Sequence, residues 1–159
     1  MKPRRAGDSG FSLVELVTIM VLLGILAAFA VPRFVDRTGF ESRGVYDQAQ
    51  GLVRYAQKIA IAQRQSPPKS PVYVVISAGS ISICYDAGCA TPLNDPTTGA
   101  ALVLNAPAGV ALAPATTFSY AGSGAPSIVA QLAISVNSSG VGDINRTFFV
   151  EPVTGYVHD

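Results

Sequence analysis

Tryptophan is missing from this 159-residue chain, histidine occurs once and cysteine twice. A protein metal centre needs three or four good ligands, and a catalytic triad needs a histidine set between a nucleophile and an orienting acid. His158 and the pair Cys84 and Cys89 leave little material for either. Charge is also scarce. Asp, Glu, Lys and Arg together make up 13% of the chain, roughly half the share of an ordinary soluble protein. With 49% hydrophobic residues beside so little charge, intrinsic disorder is excluded. A net charge of +1 also excludes a chain whose whole character is electrostatic capture of nucleic acid. The length fits one modest domain and a further segment.

The apolar surplus is concentrated near the N-terminus. A short basic stretch with Lys2, Arg4 and Arg5 against Asp8 precedes FSLVELVTIMVLLGILAAFAVP, residues 11–32. As a helix, residues 11–31 extend about 31 Å, the thickness of a bilayer's hydrocarbon core. The positive flank ahead of the run predicts a cytoplasmic N-terminus. Two ordinary readings compete: a secretory signal peptide cut at the small-x-small pattern Ala28-Phe29-Ala30, and a plain single-pass anchor. Glu15 argues against both. A carboxylate in hydrocarbon costs about 3 kcal/mol even on the lenient insertion scale, so an intramembrane acid calls for a named partner.

The residues around Glu15 supply one. Gly10-Phe11-Ser12-Leu13-Val14-Glu15, with the basic leader and the apolar run, resembles the processing motif of type IV pilins and type II secretion pseudopilins. The resemblance covers roughly the first 35 residues; Ser12 stands where threonine is commoner. It implies cleavage by a membrane-embedded prepilin peptidase between Gly10 and Phe11, with methylation of the new amine on Phe11. It also implies that Glu15, then the fifth residue, pairs with the Phe11 amine of a neighbouring subunit in a filament core. That pairing neutralises both buried charges. Pro32 falls where the family places a helix-bending proline.

Beyond Pro32 the pattern becomes one-sided. Val45, Ala49, Leu52, Val53, Ala56, Ile59 and Ala60 recur at three- and four-residue steps, which predicts an amphipathic helix. Arg43, Asp47, Gln50, Arg54 and Gln57 fall mostly on the other face. Gly39 and Gly44 weaken residues 38–44, and Pro67, Pro68 and Pro71 stop the helix by Ser66. Residues 72–77 and 80–85 flank Ala78-Gly79 and read as a hairpin. Further strands are expected at 102–104, 117–120, 128–136 and 144–151, with Tyr156-Val157 closing the sheet after a turn at 152–155. Residues 86–100, 121–127 and 137–143 read as loops. The expected fold is α+β and pilin-like: a long N-terminal helix with a membrane half and an amphipathic half, packed against a C-terminal antiparallel sheet. The corresponding segments are a cleaved leader (1–10), a membrane or filament-core helix (11–33), an amphipathic helix continuing that spine (34–65), a proline-rich linker (66–71) and a β-rich head (72–159).

Within the family the chain looks most like minor pilins of the mannose-sensitive haemagglutinin (MSHA) pilus. The stretches that carry this are the helix at residues 46–60, the Cys84 and Cys89 pair, and the closing Thr154-Gly-Tyr-Val-His158. Cys84 and Cys89 lie in the non-cytoplasmic part of the predicted topology, where disulfides persist. Their even count favours a disulfide that pins a loop over a metal site or two free thiols. His158 has no nominated nucleophile and reads as a surface residue, and the serines form no Gly-x-Ser-x-Gly elbow. No catalytic residue, metal or cofactor is expected.

The leading expectation is a structural subunit, partnered by prepilin peptidase, by other pilins and by the inner membrane before assembly. Its N-terminus would be cytoplasmic and its head periplasmic until it enters a pilus or pseudopilus. The alternatives are a type II secretion pseudopilin and a tip subunit that binds a surface or DNA, with the loop at residues 84–99 as candidate contact. Nucleic acid is not an expected partner, because after residue 65 only Lys69 and Arg146 are basic. Loss of the leader would leave 8 basic against 9 acidic residues.

Overall fold

The computed structural model describes residues 12–35, 38–64, 71–139 and 145–159, with side chains between residues 29 and 40 left aside. The expected leader, Gly10 and Phe11, and most of the proline-rich linker lie outside the described residues. The chain divides into two compact units, residues 1–36 and 37–159.

The described part of the first unit is the helix α1 (Leu13–Val35), rich in Leu, Ile, Met and Ala and including Pro32. Its first turn opens with the Leu16 N–H donating to the Ser12 carbonyl. The Thr18 hydroxyl, otherwise an unpaired polar group on an apolar helix, donates back to the Val14 carbonyl at 2.7 Å. Side chains at residues 12–28 are exposed all round, Leu13 at 79% and Met20 at 66%. A helix apolar on every face has no single side to bury. Among the described residues no helix is long and apolar enough to cross a membrane. The described side chains of α1 end at Ala28, short of the roughly 20 residues a crossing takes.

The second unit begins with α2 (Thr38–Ala62). Its inward stripe is Ser42, Val45, Tyr46, Ala49, Val53, Ala56 and Ala60, all buried, at the three- and four-residue spacing of one helix face. Leu52 and Ile59 pack at the margin of that stripe. Alanines at 49, 56 and 60 let the helix backbone lie close to the sheets beneath. The helix runs from Thr38 to Ala62, ending before the expected limit at Ser66.

Among the described residues eight strands follow: β1 (Val72–Ser77), β2 (Ser80–Cys84), β3 (Val103–Asn105), β4 (Val110–Ala113), β5 (Thr116–Tyr120), β6 (Leu132–Ser138), β7 (Arg146–Val150) and β8 (Val157–His158). The expected single sheet is instead two four-stranded antiparallel sheets, ordered β3-β2-β1-β5 and β4-β6-β7-β8. The hairpin of β1 and β2 pairs Ser77 with Ser80 across the two-residue turn. β4, which the sequence reading missed, pairs Leu112 with Val136 and ties the second sheet to the first hairpin through Leu112 N–H to the Ala78 carbonyl. β6 starts at Leu132 rather than residue 128, and the residues just before 128 pair with β5. Ser127 N–H donates to the Ser119 carbonyl, and Pro126 bridges to Tyr120. Those bonds cover the outer edge of β5.

Alternation along the strands is regular. Val72, Val74 and Ile76 on β1, Ile81 and Ile83 on β2, Ile134 and Val136 on β6, and Phe148 and Val150 on β7 form one core with the α2 stripe. Each such large aliphatic or aromatic side chain contributes about 1.5–3 kcal/mol on burial. Tyr46 meets Phe148 edge to face with ring centroids 5.7 Å apart, as do Phe118 and Tyr120 at 5.5 Å, the arrangement the ring quadrupoles prefer.

Candidate functional site

Glu15 sits in the first turn of α1. Four backbone N–H groups at a helix start lack partners inside the helix, so a carboxylate there also faces the positive end of the helix dipole. Its neighbours Leu13 and Val14 are exposed. The remaining members of the processing motif, Gly10 and Phe11, lie outside the described residues.

Cys84 and Cys89 are joined, with their Cα atoms 5.2 Å apart. The bridge closes a tight loop between β2 and the strand-like residues that follow. Tyr85 N–H donates to the Thr91 carbonyl, and Cys89 N–H to the Asp86 carbonyl. The Asp86 carboxylate accepts from Ala90 N–H at 2.9 Å and Thr91 N–H at 2.6 Å. Those backbone donors hold Asp86 below its ordinary pKa. Cys89 takes a left-handed φ of 56°, uncommon for a residue with a side chain. The loop is pinned from inside by a bridge and a carboxylate, and β2 carries it at one end. Gln63 Nε2 donates to the Tyr85 hydroxyl, linking the loop to the end of α2.

The structure assembles a second cluster, from residues of which the sequence reading placed Gln50, Arg54 and Gln57 on the face away from the apolar stripe. Tyr46, Gln50, Arg54 and Gln57, one turn apart along α2, reach the last six residues. Tyr46 Oη donates to Asp159 Oδ1 at 2.7 Å and Gln50 Nε2 to the same oxygen at 2.6 Å. Arg54 Nη2 donates to the Val157 carbonyl at 2.8 Å. Gln57 Nε2 donates to the Thr154 and Gly124 carbonyls at 2.8 and 2.9 Å. Burial, and then the bond to Asp159, push the Tyr46 hydroxyl up to about 12. The bonds from Tyr46 and Gln50 hold Asp159 below its usual value. The sequence signal was four long hydrogen-bonding side chains at steps of four, four and three residues.

On the far side of the same segment His158 is stacked between Phe149 and Tyr156, with centroids 5.7 and 5.6 Å away. Its Nε2 donates to Glu151 Oε1 at 2.9 Å, and its Nδ1 faces the Asp159 carbonyl at 2.9 Å. Both ring nitrogens face acceptors, an arrangement only the imidazolium satisfies in full. His158 is accordingly raised above 6.5, chiefly by the Glu151 bond. Glu151, which also accepts from Gln131 Nε2, is lowered by His158 first and Gln131 second. This pair fastens β8 to the end of β7.

Among the described residues no three His, Cys, Asp or Glu side chains are grouped to hold a metal ion. Both cysteines are bonded to each other, so neither offers a thiol. The clusters fix a loop, a strand and a helix face.

Comparison with known proteins gives three findings. Residues 5–31 match the family described as the prokaryotic N-terminal methylation motif. The chain is 44% identical over 59 residues to the type IV narrow pilus major component PilA5 of Thermus thermophilus, a match over 37% of this chain and 51% of that protein. The chain thus spans about half the length of this curated relative. In fold it resembles the type IV minor pilin FimU of Pseudomonas aeruginosa, with a TM-score of 0.50 over 73% of this chain and 90% of that one, at 11% identity. The motif region and the helix-plus-antiparallel-sheet fold are therefore both type IV pilin-like.

Proposed function

We propose that the chain is a minor subunit of a type IV pilus, a filament protein rather than an enzyme. Prepilin peptidase cuts between Gly10 and Phe11, and the new N-terminus is methylated. The subunit waits in the inner membrane as a single pass with its head in the periplasm, then enters the filament through α1. The observation that supports this reading is the match of residues 5–31 to the methylation-motif family, beside a Glu15 in the first turn of a helix whose described side chains are exposed all round.

A carboxylate at that place is costly in hydrocarbon. It becomes tolerable when a neighbouring subunit's Phe11 amine lies against it, because each charge is then compensated. The disulfide and the clamp on residues 154–159 keep the head rigid while α1 is handed from lipid to filament. Glu15→Ala is expected to leave cleavage and methylation intact and to reduce recovery of the chain in sheared filaments. Equal recovery of mutant and wild type would remove Glu15 from assembly.

The MSHA-like assignment is the finer form of this reading. A secretion pseudopilin would share every N-terminal feature, so deletion of the gene decides the system: loss of piliation supports the pilus, and loss of exoprotein secretion supports the pseudopilus.

A further inference from the structure

The loop between Cys84 and Cys89 is held by bonds of its own. Tyr85 N–H donates to the Thr91 carbonyl at 2.9 Å and Cys89 N–H to the Asp86 carbonyl at 3.1 Å. The Asp86 carboxylate takes up the Ala90 and Thr91 N–H groups. Just beyond, Leu93 N–H donates to the Ile83 carbonyl at 2.8 Å, and Pro92 bridges to Cys84. None of these bonds passes through sulfur. With them the two Cα atoms lie 5.2 Å apart, inside the roughly 4.4–6.8 Å that a disulfide spans.

The two cysteines meet solvent differently. Cys84, at the end of β2, is fully buried, with Tyr73 opposite it on β1. Cys89 is half-buried, between exposed Gly88 and exposed Ala90. Its left-handed φ of 56° is a conformation glycine adopts freely and a residue with a Cβ does not. The turn itself therefore does not call for a side chain at 89; what that position supplies is sulfur. In thiol–disulfide exchange access decides which sulfur reacts, and a buried structural cysteine is inert.

We propose that Cys89 is the exchange site of this head, and that the bridge is closed on the folded chain, in two steps, by an external disulfide (of a small thiol or of a dithiol protein). First, the Cys89 thiolate attacks one sulfur of that disulfide. The external S–S bond breaks, a new one joins Cys89 to the reagent, and the reagent's other sulfur leaves as thiolate. Second, the Cys84 thiolate attacks Cys89 Sγ; the mixed bond breaks and the reagent's remaining sulfur leaves. The two cysteines lose two electrons and two protons, and the reagent takes up both as two thiols. Cys84 resolves the mixed disulfide but does not initiate. Reduction follows the same path backwards: an external thiolate attacks Cys89 Sγ and the Cys84 thiolate leaves. The inference goes beyond the filament reading and does not depend on it.

The test reduces the full-length chain in detergent with a phosphine, follows its fold by circular dichroism, and pulses it with iodoacetamide. Peptide mass spectrometry reads each cysteine. The head is expected to keep its folded signal. Cys89 is expected to be alkylated at least about tenfold faster than Cys84, whose reaction waits on a local opening of about 1.4 kcal/mol or more. In denaturant the two rates are expected to converge. Cys84→Ser, given glutathione disulfide, is expected to hold a mixed disulfide on Cys89; Cys89→Ser is expected to form one on Cys84 at least about tenfold more slowly, the same factor of access. The Cys84→Ser chain taken from cells under acid quench separates the two sources of oxidant by intact mass, as a small-thiol or a protein-sized adduct on Cys89. Equal alkylation of the two cysteines in the native reduced chain, faster alkylation of Cys84, or loss of the folded signal on reduction overturns the assignment. Those outcomes are read on the wild-type chain, so they decide even if either variant fails to fold.

Discussion

Gly155→Ala is the substitution with the most sharply determined cost. Gly155 has φ of +68° and is buried in the turn before β8. A Cβ there would lie 2.6 Å from Gln57 Nε2, 2.6 Å from the Gly124 carbonyl oxygen and 2.7 Å from Tyr120 Cε1. The left-handed backbone alone costs an L-residue roughly 1–2 kcal/mol. Moving the Gln57 amide sacrifices its bonds to the Gly124 and Thr154 carbonyls, each worth about 1 kcal/mol. The ring of Tyr120, fully buried, has no room to retreat. The expected loss is therefore about 3–4 kcal/mol, or about 10–15 °C in Tm for a unit of this size. Thermal unfolding of the purified chain in detergent, followed by circular dichroism, measures it. Gly79→Ala is the internal control, since a Cβ at that turn meets nothing within 4 Å. A Gly155→Ala midpoint indistinguishable from that of Gly79→Ala would refute the clamp geometry.

Three further outcomes are expected. The His158–Glu151 pair should be pH-dependent in a defined direction. His158 is raised, so its contribution is complete below 6.5 and is lost as pH climbs through the raised value; Glu151 is lowered, so its contribution is complete above 4.5 and is lost on acidification. Glu151→Gln should accordingly bring the His158 ring titration, followed by NMR, down toward 6.5; an unmoved titration would contradict the pair. Breaking the Cys84–Cys89 bridge with reductant or by Cys84→Ala/Cys89→Ala should cost about 2 kcal/mol on the chain-entropy estimate for so short a loop, read as a lower midpoint of thermal unfolding. Ala56→Leu, at a fully buried point of the α2 stripe, should cost about 1–3 kcal/mol by overpacking, read as a shift in denaturation midpoint.

Much of the head was legible from pattern alone. The α2 stripe is visible because burial on one helix face imposes its own period, and five of the seven expected positions are buried with Leu52 and Ile59 at the margin. The first hairpin is visible because alternation and a short turn are local properties. β4 was not, because Val110–Ala113 contains two alanines between Ala- and Pro-rich stretches and carries little strand propensity. Its pairing with β6 makes it a strand, and that partner is more than twenty residues away. The division into two sheets was hidden for the same reason: order among strands is set by long-range register, which no window of sequence contains.

The candidate sites divide in the same way. Glu15 stood out because a lone acid in an apolar run conflicts with its surroundings. The clamp on residues 154–159 did not, since Gln50, Arg54 and Gln57 look like any solvated helix face until the C-terminal segment is laid beside them. His158, expected at the surface, is half-buried, and its stacking on Phe149 and Tyr156 depends on cross-strand register. Most of the expected linker and the cleavage site fall outside the described residues, and the cleavage remains part of the proposal.

Intact mass and N-terminal sequence of the chain extracted from membranes test the central claim most directly. The filament account predicts a chain beginning at Phe11 and carrying one added methyl group. A chain beginning at Val31, cut after Ala30, would mean an ordinary exported β domain without α1 and would contradict the account.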